Sequence, residues 1–318
     1  MTDPHLDLRQ LQRVLRDSPA EALQRLEGAL GPLLDLLEAT TRELRDAGER
    51  LAELRARLIA TEQHELLRLD KELALAKDIQ SSLLPRDLTV EAFEVAATML
   101  PCAEVGGDYY DVRPVPGGCW IGIGDVSGHG VSAGLVMLMV QSVAAALIGC
   151  ELDERPSEVL SRLNEVLYEN IRGRMASDEY VTASLLRFHA DGQVVYAGAH
   201  EDLIVLRAAT GRCERIATSG VWLGVLPDIR HVCVDERLAL RPGDMIVLHT
   251  DGLTEAADAS GERFGLERVC AELERIPDAP PQVVLSTLIR SVTAFAGPSA
   301  DDLTVLVLRY LGDGRGGP

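Results

Sequence analysis

The sequence predicts an α+β protein in which an N-terminal helical region precedes largely antiparallel sheets covered by helices. Three observations predict it. The segment from Leu6 to about Leu84 is rich in Leu, Arg, Glu and Ala, a helical composition. After Pro85 the texture changes to short β-rich runs, several set apart by glycine turns such as Pro116-Gly117-Gly118, Asp191-Gly192 and Thr210-Gly211. Helical runs interrupt these strands without the strict strand–helix alternation of a parallel, doubly wound sheet.

In chain order, Pro19 and then Gly31-Pro32 read as helix breaks, leaving one long helix from Pro32 up to Pro85. Along it Leu51, Leu54, Leu58, then Leu66, Leu69, Leu73, Ala76 and Leu83 step mostly by three and four, with a slip near Glu62. That is the pattern of a parallel dimeric coiled coil with a stutter; an amphipathic helix packed on its own domain is the alternative. Strands are expected at Phe93–Met99, Cys119–Gly124, Tyr180–Phe188, Gln193–Ala197, Leu203–Arg207, Met245–His249 and Leu303–Tyr310. Helices are expected at about Ala133–Ile148, Pro156–Ile171, Leu266–Glu274 and Pro281–Phe295. The chain thus divides into a helical regulatory and dimerisation region with a coiled-coil linker (1–85), a folded domain (86–311) and a flexible tail (312–318).

Composition removes several function classes. A net charge of −19 repels phosphate backbones, and 4% aromatic residues leave little for base stacking, so nucleic acid is not an expected partner. Cys102, Cys119, Cys150, Cys213, Cys233 and Cys270 are scattered with no C-x-x-C pair, which suits free thiols in a reducing compartment. Met1–Gln10 is charged and lacks the apolar core of a signal peptide, so a cytoplasmic location is expected. Val131–Cys150 is apolar and long enough to cross a bilayer. Ser132, Gln141 and Ser142 lie within it and its flanks are acidic (Asp125; Glu151, Asp153, Glu154), so a buried helix is expected rather than a membrane span.

The chemistry lies in aspartates. Four stretches place one beside glycine or at a strand edge: Gly106-Gly107-Asp108-Tyr109-Tyr110-Asp111, Gly124-Asp125-Val126-Ser127-Gly128-His129-Gly130, Thr250-Asp251-Gly252 and Asp301-Asp302-Leu303-Thr304. A carboxylate at the end of a buried strand is costly unless paired or cation-bound, and neither strand-end motif, at Asp125 or at Asp251, offers a nearby Lys or Arg. Each Asp-Gly alone is an ordinary turn. Four converging would make a site for a hard divalent cation such as Mg²⁺ or Mn²⁺.

At these residues the sequence resembles the metal-dependent PPM (protein phosphatase 2C-like) serine/threonine phosphatases, in particular the bacterial SpoIIE/RsbU branch that controls anti-sigma-factor antagonists. The matching strings are Ala76-Lys77-Asp78-Ile79-Gln80 with Leu83-Leu84-Pro85, G-G-D-Y-Y-D at 106–111, G-D-V-S-G-H-G at 124–130, D-E-Y-V-T-A at 178–183, H-T-D-G-L-T-E-A at 249–256, and Asp301-Asp302-Leu303-Thr304-Val305. The resemblance spans about Ala74 to Tyr310. It implies an αββα sandwich, two antiparallel sheets flanked by helices, with metals at one edge. By motif, Asp125 bridges two Mn²⁺ or Mg²⁺ ions, the Val126 carbonyl adds a ligand, Asp251 and Asp301 hold one metal, and Asp108 acts on the other directly or through water. Asp302 stands where relatives carry Asn or Asp, Asp111 supports Asp108, and His129 is read as packing the loop in preference to acting as the general acid. The family leaves room for a third metal, to which no residue is assigned.

The implied reaction is hydrolysis of a phosphoserine or phosphothreonine by a metal-activated water, with a phosphorylated STAS-domain protein as substrate, in bacterial signalling or the general stress response. The helical region before Leu84 is too short and too poor in β-structure for a ligand-sensing domain, so a homodimer through its coiled coil and a protein activator docking on its helices are expected. One departure stands at Gly198-Ala199-His200-Glu201-Asp202: many relatives have Gly-His followed by Pro-Pro, which bears on loop shape and substrate fit. Two rivals fail on residues. A diguanylate cyclase signature would need an acid at Tyr109, and a dinucleotide fingerprint a glycine at Ser127. The remaining alternative, a non-catalytic interaction module on the same fold, would have lost metal aspartates that are all present here.

Overall fold

The computed structural model describes residues 8–85, 88–102, 105–150, 155–297 and 301–312. Residues 1–7, the acidic flank 151–154 and, beyond Gly312, the expected tail lie outside the described residues, so the signal-peptide and tail expectations are not addressed by it. The chain divides into two compact units, Met1–Lys71 and Glu72–Pro318.

α1 (Leu8–Asp17) gives way at Ser18 to α2 (Pro19–Leu83), which makes up most of the first unit and continues from Glu72 into the second. Pro19 opens α2 at a position where its missing N–H is no loss. The expected break at Gly31-Pro32 does not occur: α2 runs through Pro32, which removes a single i→i−4 bond from a helix of 65 residues. Exposed i,i+4 pairs such as Arg25–Glu21 and Arg57–Glu53 support it. Its leucines have no core of their own, and Leu51, Leu54 and Leu58 are all exposed.

The second unit is an αββα sandwich. One sheet has the order β1-β10-β9-β6-β7, built from β1 (Phe93–Leu100), β6 (Leu203–Arg207), β7 (Arg212–Ile216), β9 (Met245–His249) and β10 (Leu303–Tyr310). The other has the order β2-β3-β4-β5-β8, from β2 (Tyr109–Val115), β3 (Gly118–Val126), β4 (Val181–His189), β5 (Gln193–Ala199) and β8 (Glu236–Ala239). Every pairing is antiparallel. Strand alternation builds three layers of core. In β10, Leu306, Leu308 and Tyr310 face the opposite sheet, while Leu303, Val305 and Val307 face α6 (Gly265–Arg275) and α7 (Pro281–Ala296). The other outer face carries α3 (Val131–Cys150) and α4 (Pro156–Tyr168), the latter running into a π-helical turn, Glu169–Arg174.

Val131–Gly149 is long and apolar enough to cross a membrane by length and composition. Here its inner face, Val136, Met137, Val140, Ala144 and Ile148, is buried in the core beneath β3 and α4.

Three strands, β2, β7 and β8, have no counterpart among those expected. All lie at sheet edges, where one side meets solvent and the residues are correspondingly mixed: Asp111, Arg113 and Pro114 in β2, Arg-Cys-Glu-Arg in β7, Glu-Arg in β8. The short helix α5 (Asp251–Thr254), directly after β9, was likewise not anticipated.

Candidate active site

Sheet topology gathers the four acidic motifs. Asp108 immediately precedes β2, and Asp125 lies one residue from the end of its neighbour β3, with Tyr109 opposite Gly124. Asp251 opens α5 just after β9, and Asp301-Asp302 precede the neighbouring β10, with Val305 opposite His249. Two hairpin-like junctions, one from each sheet, therefore meet at one edge of the sandwich.

Electrostatics register the convergence. Burial first, then the charges of Asp251, Asp301 and Asp302, push the Asp125 carboxyl up to about 7. Asp251 is raised by burial and by Asp301 and Glu255. A cleft of about 370 Å³ opens above Asp125 and Asp251 and is otherwise lined by Ser127, Tyr180, Thr182, His200, Glu201 and Trp222. Among the described residues no Lys or Arg lines it.

Asp108 is nearly inaccessible, at 1%. Its Oδ2 accepts from the hydroxyls of Thr250 at 2.8 Å and Thr304 at 2.6 Å, so it ties the start of β2 to the ends of β9 and β10 across the two sheets. Burial raises its pKa well above the usual carboxylate value, against the pull of those hydroxyls. Asp302 is also buried, and both of its oxygens are engaged: Oδ1 accepts from the Cys102 amide at 2.8 Å and Oδ2 from the Gly107 amide at 2.7 Å. Asp301 is exposed and accepts from the Asp302 amide.

The other expected residues are more remote. Asp111 pairs with Arg113 at 2.7 Å. His129 is exposed and lines a shallow depression with Ser127, Ser132, Asp178 and Glu179, outside the cleft that holds Asp251. Val126 is buried; its amide donates to the Gly107 carbonyl at 3.3 Å.

Several residues of the site carried no recognisable signal of their own. The Gln80 side chain, near the end of α2, donates to the Gly106 carbonyl at 2.7 Å and accepts from the Gly106 amide at 3.0 Å. His200 is neutral, desolvation and His249 driving its pKa down to about 3. Its Nε2 donates to the His249 carbonyl at 3.1 Å, which leaves Nδ1 to accept from the Thr182 hydroxyl at 2.9 Å; that hydroxyl is 3.3 Å from the Asp125 carbonyl. Gln80, Thr250 and Thr304 sit inside the quoted motif strings, but their partners lie 26, 142 and 196 residues away along the chain.

These residues suit a divalent cation. The donors are oxygens, the carboxylates repel one another, and among the described residues no cationic side chain lines the cleft to offset them. Backbone space is reserved as well: a Cβ on Gly107 would stand 3.0 Å from the Val126 carbonyl oxygen and 3.3 Å from Asp125 Oδ1. Among the described residues no three His, Cys, Asp or Glu side chains close around one point, so ions here would rely on one or two carboxylates each, with carbonyl and water ligands.

An αββα sandwich with its carboxylates gathered at one edge is the architecture of a PP2C-type phosphatase domain. The chain belongs to the SpoIIE family: the model for stage II sporulation protein E (SpoIIE) matches residues 116–311. Phosphoserine phosphatase RsbU of Bacillus subtilis (strain 168) is 29% identical over 262 residues, covering 79% of this chain and 75% of that protein. The SiaA-PP2C domain of Pseudomonas aeruginosa superposes with a TM-score of 0.67 at 22% identity, covering 77% of this chain and 97% of that one. A structure of RsbX in complex with magnesium superposes with a TM-score of 0.52 at 14% identity, covering 70% of this chain and 98% of that one. The last two likenesses bear on the fold.

Proposed function

We propose that this chain is a metal-dependent protein serine/threonine phosphatase that hydrolyses a phosphoserine or phosphothreonine. The observation that carries the reading is the convergence of Asp125 and Asp251, from different sheets, on one cleft that no Lys or Arg lines among the described residues. The similarity to a phosphoserine phosphatase and the magnesium in the RsbX structure support it.

Asp125, the Val126 carbonyl, Asp251 and Asp301 would hold two Mn²⁺ or Mg²⁺ ions. Bound there, the ions supply a water acidified for in-line attack on phosphorus and offset charge on the phosphoryl oxygens. Asp108 lies beside them, its Oδ2 accepting from Thr250 and Thr304 and so bracing the two strand ends. Asp302 has a related task, holding the backbone that carries Gly107 beside Asp125. His200 accepts from the hydroxyl of Thr182, the residue paired with Asp125 across the ladder of β3 and β4.

The resemblance extends the reading to substrate and control. A phosphorylated STAS-domain antagonist is the proposed substrate, in a cytoplasmic signalling pathway. Residues 1–85 form the proposed dimerisation and regulatory region, whose exposed leucines suit a partner helix, with an activator docking there. The Gln80 clamp on Gly106 gives α2 a direct hold on the backbone beside Asp108.

The test is p-nitrophenyl phosphate hydrolysis with Mn²⁺, Mg²⁺ or EDTA, comparing the wild type with Asp251→Asn. Turnover that needs metal and falls at least a hundredfold in the variant is expected. No turnover, together with no metal binding by calorimetry, would favour the interaction module.

A further inference from the structure

The metal reading accounts for Asp125 and Asp251 in the cleft but leaves Tyr180, Glu201 and Trp222 on its walls without a task. Trp222 is one of two tryptophans in the chain, and it is 48% exposed. Its ring stacks on Tyr180, with centroids 4.7 Å apart and planes inclined by 12°. The segment that carries it is tightly pinned. Leu223 exchanges two backbone hydrogen bonds with Val181, at 2.8 and 3.0 Å. The Asn164 side chain accepts from the Gly224 amide and donates to the Leu226 carbonyl, each at 2.9 Å, and Arg172 donates to the Gly224 carbonyl. An aromatic face held this firmly toward solvent, at the mouth of an active site, is a preorganised contact for a ligand.

Glu201 supplies the second element. Its carboxylate is hydrogen-bonded to nothing and paired with no cation among the described residues. Metal ions would neutralise Asp125 and Asp251, leaving Glu201 as the anion of the cleft wall. An aromatic face and an uncompensated carboxylate lining one cleft are the two features that recognise an organic cation.

We propose that Trp222, backed by Tyr180, and Glu201 form a specificity subsite for an arginine or lysine side chain next to the phosphorylated residue of the substrate. The proposal rests on the phosphatase reading and adds the sequence context in which the phosphoserine is accepted. The phosphate goes to the metal side, and the neighbouring basic side chain lies against the indole with its charge toward Glu201.

The test uses the full chain with Mn²⁺ and two phosphoserine peptides that differ only in Arg or Ala beside the phosphoserine. The wild type should favour the Arg peptide by about tenfold in kcat/KM, mainly through KM. The Arg/Ala ratio should fall toward one in Trp222→Ala and in Glu201→Gln, and largely survive in Trp222→Phe. Because the readout is a ratio, a general loss of activity in a variant does not affect it. A wild-type ratio near one would overturn the proposal, as would a preference that survives both substitutions. A changed Mn²⁺ requirement in Glu201→Gln with the Arg preference intact would assign Glu201 to the cations and also overturn it. A wild type that turns over neither peptide nor p-nitrophenyl phosphate would instead sink the phosphatase reading, and this subsite with it.

Discussion

The side-chain amide of Gln80 pairs with the backbone of Gly106 in both directions, donating to its carbonyl at 2.7 Å and accepting from its amide at 3.0 Å. Gln80 is 3% exposed and belongs to α2; Gly106 lies two residues before Asp108. A helix that begins in the N-terminal region thus ends by gripping the strand of backbone on which the acidic site is built.

Removing that grip should be expensive. Gln80→Ala leaves a buried amide and a carbonyl without partners, a loss of about 2 kcal/mol or more. Urea denaturation should show the lower stability. Mn²⁺-stimulated turnover should drop about tenfold and recover in part at high Mn²⁺; unchanged metal dependence would detach Gln80 from the site.

Asp302→Ala separates a backbone clip from a cation ligand. Loss of its bonds to the Cys102 and Gly107 amides should cost about 1–3 kcal/mol of stability in either metal-loaded or metal-free protein. Calorimetry should still register metal binding at the wild-type stoichiometry. Loss of one ion with stability unchanged would make Asp302 a ligand instead.

Gly107→Ala tests the space reserved beside Asp125. The added methyl meets the Val126 carbonyl oxygen at 3.0 Å, so either the loop or Asp125 must move. Metal affinity measured by calorimetry should fall at least tenfold while the circular dichroism spectrum is retained. Wild-type affinity would show that the loop yields at no cost.

The pH dependence of stability has two opposed parts. His200 has a folded pKa near 3, below its unfolded value of about 6.5, so the unfolded chain binds the extra proton between them. Its contribution is complete above about pH 6.5 and is lost as the pH falls toward 3, at up to about 1.4 kcal/mol per pH unit. Asp125 acts in the other direction when divalent cations are removed. With its pKa raised to about 7, the folded state holds the proton, and stability falls as the pH rises from about 4 to 7. Thermal melts in EDTA should show the first slope reduced in His200→Gln and the second reduced in Asp125→Asn; wild-type slopes in both variants would refute these assignments.

Leu69→Glu with Leu73→Glu tests the helical region. Sedimentation should shift from dimer to monomer, with basal or activated turnover altered. An unchanged oligomeric state and activity would remove dimerisation through this stripe.

How far the molecule could be read without coordinates follows from what each signal depends on. Strands buried on both faces, such as Met245–His249 and Leu303–Tyr310, read as largely apolar runs and were legible. Edge strands such as Arg212–Ile216 keep one polar face, and Tyr109–Val115 carries Asp111, Arg113 and Pro114; neither run is apolar enough to announce a strand. Pro32 misled because a proline removes one hydrogen bond, which a long helix absorbs.

The sequence by itself determined the acidic motifs, their order along the chain and the family to which they point, because these depend only on residue type and local spacing. Tertiary structure alone decided what each carboxylate does with its oxygens. Asp108 and Asp302 look alike in sequence to Asp125 and Asp251, yet Oδ2 of Asp108 and both oxygens of Asp302 are taken by hydroxyls or amides distant in the chain, while Asp125 and Asp251 face an open cleft. The same holds for Trp222 and Glu201, brought to one cleft by the pairing of Val181 with Leu223 and by the turn after β5. Sequence spacing governs contacts within one element. The partners of a buried polar group are set by which strand ends the sheets bring together, and that information resides in the fold.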